Sequence, residues 1–122
     1  MAYADGFVLV VPRKELAAYR KMAKLACRVW MEHGALQYVE TVGDDLDVHH
    51  GTSFPKAFRV KPAETVVFAW ILYKSRAHRD RVNAKVMSDP RIEKAMAPGA
   101  KMPFDMKRMS HGGFASIVMD EA

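Results

Sequence analysis

Eight residues, Gly43-Asp44-Asp45-Leu46-Asp47-Val48-His49-His50, carry three carboxylates and two imidazoles. Asp and His ligate several divalent metals, so the stretch raises the question of a metal site. The spacing argues against one. The alternating oxygen donors and closing Glu of a calcium loop are missing, and no zinc pattern is present. Adjacent histidines also tend to point in different directions. The stretch reads as the start of a hydrated, mobile loop near a pocket mouth. Asp44 and Asp45 suit the turn that opens it, and no metal is expected.

A second constellation is spread along the chain. Trp30 and His33 end an expected helix, and His78 opens another. Tyr38 and Glu40 share a face of one expected strand; Phe68 and Trp70 share a face of the next. If these faces meet, they enclose an aromatic cavity with a few polar groups, the usual make-up of a small-molecule site. A Glu40–His78 or Glu40–His33 contact would supply acid–base chemistry. The same residues would equally make an ordinary aromatic core with one satisfied hydrogen bond. The expected pocket is Trp30, His33, Tyr38, Glu40, Phe68, Trp70, His78 and Met109. Catalytic residues stay unassigned, and no cofactor is implied.

Three further features bear on function. Arg76, His78, Arg79, Arg81 and Lys85 cluster on one expected helix. The cluster reads as a solvated face, because nucleic-acid binding favours basic residues interleaved with exposed aromatics. The segment MPFDMKRMSHGGF combines Met102, Met106 and Met109, which are adaptable packers, with Lys107, Arg108 and His111. It suits either a dimer seam or a lid over the pocket. Cys27 lies mid-helix and reads as a small buried side chain. The chain shows no Gly-rich phosphate loop, nucleophile elbow or HExxH motif.

The elements that must position these residues are legible from periodicity. FVLVV (Phe7–Val11) is a β-branched apolar run, a buried strand closed by Pro12. In 14–33, Leu16, Tyr19, Ala23, Ala26, Trp30 and His33 repeat at helical spacing, and Gly34 stops the helix. LQYVETV (36–42) mixes polarity on both faces, as an edge strand does. The long segment 43–64 has no period and is expected to be a functional or mobile loop. TVVFAWILY (65–73) is apolar on both faces. Ser75 caps a helix over 76–88, and Asp89-Pro90 starts a short one. A last strand is expected over 114–119.

The order β-α-β-β-α-β predicts a ferredoxin-like α+β fold with an antiparallel sheet in the order 4-1-3-2. Both helices of such a fold lie on one face of the sheet. The central strands are apolar on both, so the open face needs a cover. Each large side chain buried there contributes about 1.5–3 kcal/mol. A second copy of the chain is the simplest cover; the long, charged loop is a poorer one.

Composition sets the remaining bounds. The 122 residues suffice for one domain, expected to span 1–122. Half are hydrophobic, about a quarter are charged and the net charge is +5, with both signs dispersed. The single cysteine excludes an internal disulfide and fits a reducing compartment. No leader peptide is legible, and the longest apolar run, Val66 to Tyr73, is too short for a bilayer span of about 20 residues. The expected location is the cytoplasm.

Four stretches, YADGFVLVVP, VETVGDD with TSFP, WILYKSRAHRDRVNAKVMSDPR, and MPFDMKRMSHGGF, give the chain a specific resemblance. Over nearly its whole length it resembles the YbaA-like family of uncharacterised bacterial proteins, a domain of unknown function. That resemblance implies the dimeric α+β barrel superfamily, whose subunits are ferredoxin-like. The superfamily includes antibiotic-biosynthesis-type monooxygenases, haem-handling enzymes and small stress proteins. The family itself implies no reaction, and His49 and His50 lie outside its pattern. The leading expectation is a homodimeric small-molecule-binding protein, with a cofactor-independent oxygenase as its enzymatic form. A non-catalytic dimeric interaction module is the alternative, and RNA binding through the basic helix 76–88 the third. The expected partners are a second copy of the chain and a small molecule, not a membrane or nucleic acid.

Overall fold

A computed structural model describes residues 1–121. The elements run β1 (Tyr3–Pro12), α1 (Leu16–Glu32), β2 (Gln37–Val42), α2 (Phe54–Ala57), β3 (Glu64–Tyr73), α3 (Arg76–Met87), α4 (Pro90–Ala95) and β4 (Met109–Ala115). Single 3-10 turns at Arg13–Glu15 and Met106–Arg108 precede α1 and β4. The strands form one antiparallel sheet in the order β2-β3-β1-β4. Read from the other edge this is the expected 4-1-3-2. The architecture is α+β and matches the ferredoxin-like arrangement.

Local signals explain most boundaries. Ser75 and Asp89 cap α3 and α4, accepting from the backbone N–H groups of His78 and Arg91. Pro90 occupies the first position of α4, where its missing N–H has no helical partner to lose. Gly34 follows α1 at φ +111°, a left-handed turn that costs a glycine little.

The last strand departs from expectation: it covers 109–115 rather than 114–119. Its partner decides this. β1 pairs from Leu9↔Met109 to Tyr3↔Ala115 and then ends. Past that point, among the described residues, Ser116 alone is tied back to the N-terminal segment, donating through both its N–H and hydroxyl to the Ala2 carbonyl. Ile117 and Val118, strong strand formers by type, are left 92% and 87% exposed. The double glycine lies inside the strand. A side chain at Gly113 would collide with the Tyr3 ring, which lies across it.

Strand alternation divides the sheet. Leu9 and Val11 of β1 and Val67, Ile71 and Tyr73 of β3 face the helices. They pack in two groups rather than one. Val29, Ala35, Ile71, Tyr73, Val82, Val86 and Ile92 form the first. Leu9, Val11, Tyr19, Ala23, Val67 and Phe104 form the second, and Phe7 borders both. On the opposite face lie Val8, Val10, Val66, Phe68, Trp70, Leu72 and Phe114. Among the described residues no principal helix covers them. The loop after β2 does more here than expected. Its short helix α2 places Phe54 against Phe58 and Phe68, with ring centroids 6.3 and 6.4 Å apart. At that end Val10 and Val66 are buried. Farther along, Phe68 is 46% and Phe114 63% exposed.

Candidate functional site

Between the helix face of the sheet and α1, α3 and α4 lies a cavity of about 640 Å³. It exists because the two packed groups do not merge. Leu9, Tyr19 and Phe104 of one wall it, as do Ile71 and Ile92 of the other. Six methionines join the lining: Met22, Met87, Met96, Met102, Met106 and Met109. Met87, Met96, Met106 and His111 are also exposed, so the opening lies between the α3–α4 end and β4. Phe104 seals the inner wall, with its ring centroid 5.8 Å from that of Tyr19.

Two polar groups interrupt this apolar lining. The first is centred on Glu40, in the middle of β2. Tyr19 on α1 donates its hydroxyl to Oε1 at 2.6 Å. Tyr38, two residues back along β2 and therefore on the same face, donates to Oε2 at 2.7 Å. Burial first, and then the Glu40 carboxylate, push both phenols far above their ordinary range. Both therefore stay protonated and act as donors. The trio is an ionisable carboxylate held by two neutral hydroxyls.

The second group is centred on Asp5, on β1 and only 7% exposed. Arg79 Nη1 donates to its Oδ1 at 2.6 Å, and Asn83 Nδ2 reaches Oδ2 at 3.5 Å. The same Asn83 accepts from Trp30 Nε1 at 3.1 Å and from the Tyr73 hydroxyl at 3.2 Å. Arg79 also donates to Asp80 and stands 5.0 Å from the centroid of the Tyr3 ring. Burial raises the Tyr73 phenol as well, so it too remains a donor. Among the described residues no buried side-chain polar atom lacks a partner.

The structure divides the expected pocket set. It brings Trp30, Tyr38, Glu40 and Met109 together on the cavity wall. It separates Phe68 from them and leaves Trp70 at the cavity's border, its ring on the other face. The register pairs Val39 with Trp70 and Thr41 with Phe68, so Tyr38 and Glu40 are in antiphase to both aromatics. Trp70 borders the cavity, yet its indole lies tilted against Phe68 on the other face, centroids 5.6 Å apart, and donates to Gln37.

The two histidines also lie elsewhere, so neither Glu40–His contact forms. His33 Nε2 meets Asp89 Oδ2 at 2.8 Å, tying the end of α1 to the start of α4. His78 Nδ1 accepts the Lys74 backbone N–H at 2.9 Å, and its ring packs edge-on against Tyr73. Tyr19, Asp5, Arg79 and Asn83 were not among the expected site residues. Tyr19 stood on the apolar stripe of α1 with a hydroxyl needing a partner, and Asp5 was a carboxylate beside a buried strand. Both were visible signals.

The remaining candidates resolve simply. Asp44, Asp45, Asp47, His49 and His50 are all exposed. No group of three or more His, Cys, Asp or Glu among the described residues is placed to hold a metal. In the basic helix Arg79 is committed to Asp5, which removes one charge from the outer face. Cys27 is half-buried on α1. The 102–109 segment supplies Met102, Phe104, Met106 and Met109 to the cavity wall. No helix among the described residues is long and apolar enough to cross a membrane.

Fold and site together describe an α+β domain with a four-stranded antiparallel sheet and a polar-studded apolar cavity under its helices. Comparison with known proteins gives the family. Residues 2–106 match the model of a family described as a protein of unknown function, DUF1428. The chain is 46% identical over 118 residues to the uncharacterised protein YbaA of Escherichia coli K12. The alignment covers 97% of this chain and 98% of the relative. The YbaA proteins of Escherichia coli O157:H7 and Shigella flexneri match to the same extent. The chain belongs to this DUF1428, YbaA-like family.

Proposed function

We propose that the protein is a homodimer that binds a small molecule in the cavity between the sheet and its helices. One observation carries the binding: an apolar space of about 640 Å³ that contains a carboxylate and hydroxyl donors already oriented by hydrogen bonds. Sites for small molecules combine these features, in volumes of roughly 300–1,000 Å³. The dimer rests on the other face. Phe68, Trp70, Leu72 and Phe114 form an apolar surface that α2 covers only at one end. A twofold copy would bury it against itself.

Native mass spectrometry of freshly purified protein reads both parts. The expected species has two chains and either retains a small molecule or takes up an apolar fluorophore. Ala26→Trp, which fills the cavity, should abolish uptake and leave the dimer. Phe68→Asp should give single chains with uptake intact. Equal uptake by Ala26→Trp and the parent sinks the cavity reading, and a lone subunit at micromolar concentration sinks the dimer.

A second reading makes the protein an oxygenase that needs no cofactor. It is favoured by Glu40, a cavity carboxylate with neutral partners and hence a base for a bound substrate. Oxygen consumption that requires substrate and disappears in Glu40→Ala supports this reading. If no oxygen uptake occurs with bound ligand, the protein is a binding or interaction module alone.

A further inference from the structure

The binding reading leaves open what kind of molecule the cavity selects, and the charges on its wall narrow the answer. Among the acidic and basic groups that line it, Asp5 and Arg79 neutralise one another at 2.6 Å. Glu40 has no cationic partner among the described residues. Its two oxygens accept only from the phenols of Tyr19 and Tyr38, which burial holds in the protonated form. Apart from the paired Asp5 and Arg79 and the exposed His111, the wall thus presents one carboxylate without a cationic partner within a largely aromatic and thioether surface.

Glu40 is half-buried and faces an apolar space without a counter-ion, and a cation brought by the ligand would supply one. Room for it exists on the carboxylate. Two oxygens offer about four acceptor positions, and the phenols take one on each oxygen. The neighbouring rings also favour a cation: Trp30 and Tyr38 stand with centroids 6.2 Å apart on the same wall. An anionic head would meet Glu40 with like charge.

We propose that the cavity takes a molecule with an apolar body and a protonated amine, the amine seated on Glu40 beside Tyr19 and Tyr38. The inference rests on the binding reading and goes further by naming the head group.

Isothermal titration of the wild-type protein with matched ligands tests it. One set is tryptamine, tryptophol and indoleacetate; a second is octylamine, octanol and octanoate, to remove dependence on ring shape. In each set the amine is expected to bind about ten-fold or more tightly than the alcohol, the margin of a charge-assisted hydrogen bond, and the acid most weakly. Glu40→Gln keeps the shape and removes the charge, and should bring amine and alcohol to parity. Alcohols or acids binding as tightly as the amines in both sets would overturn the amine head and leave the cavity reading standing. Binding by no member of either set would overturn both. If Glu40→Gln proves unfolded by circular dichroism, the wild-type ranking decides alone.

Discussion

The two faces of this sheet are made by the same strands and both are largely apolar, yet they are finished differently. On the helix face, large side chains are buried and their polar atoms are paired: Tyr73 with Asn83, Asp5 with Arg79, Glu40 with two tyrosines. On the open face, Phe68 and Phe114 reach solvent, and the one indole there, Trp70, bonds to a surface glutamine. Apolar content does not distinguish the two faces of this fold. What distinguishes them is whether a second layer of the same chain is present to withdraw polar groups from water and orient them.

The contrast can be broken most forcefully at Tyr73, which is fully buried on the helix face. Tyr73→Ala should cost about 3–5 kcal/mol in urea unfolding, combining lost burial with an unfilled space. A cost near that of an open-face substitution would erase the difference between the faces. Arg79→Ala comes next. It strands the Asp5 carboxylate with one long contact to Asn83 and should cost about 2 kcal/mol, less than a wholly buried pair because Arg79 is partly exposed. Adding Asp5→Asn should recover part of the loss, and a double-mutant cycle measures the coupling.

Asp89 gives a pH test at the junction of α1, α3 and α4. Hydrogen bonds from Arg91, then from His33, hold its carboxyl well below the usual carboxylate range. A depressed folded pKa contributes stability above the unfolded value of about 4, and that stability is lost as pH falls below it. Unfolding midpoints of the wild type should therefore drop steeply below about pH 4. Asp89→Asn should be less stable at neutral pH and flatter on the acid side. A wild-type acid limb no steeper than that of the variant would remove this pair from the account.

The smallest effect on the protomer is expected on the open face. Phe114→Ser should change its folding free energy by less than about 1 kcal/mol, because the ring is already mostly in water. Light scattering across a dilution series should nevertheless show weaker self-association. Unchanged association would count against the proposed dimer contact on this face.

The helix caps, the two central strands and the sheet order were legible from the residues. Ser75, Asp89-Pro90 and Gly34 act through bonds within a few residues, and β1 and β3 are apolar enough to pair with little competition. The candidate site was legible only in part. Trp30, Tyr38, Glu40 and Met109 do meet, but Phe68 and Trp70 fall on the other face. Alternation says which residues of a strand share a face. It does not say which face receives the helices when both are apolar. His33 was readable as a helix-end residue, but its partner Asp89 lies 56 positions away. Beyond Ala115, Ile117 and Val118 are strand-forming residues with no strand opposite them.

Periodicity, caps and the double-sided apolar strands, all of them interactions within one turn or one pleat, were set by the amino-acid order alone. The cavity, the pairing of Glu40 with Tyr19, the end of β4 and the exposure of Phe114 came only with the assembled layers. Each depends on register and on distance through space between residues far apart in the chain. Short-range chemistry cannot specify these until the strands have chosen their neighbours.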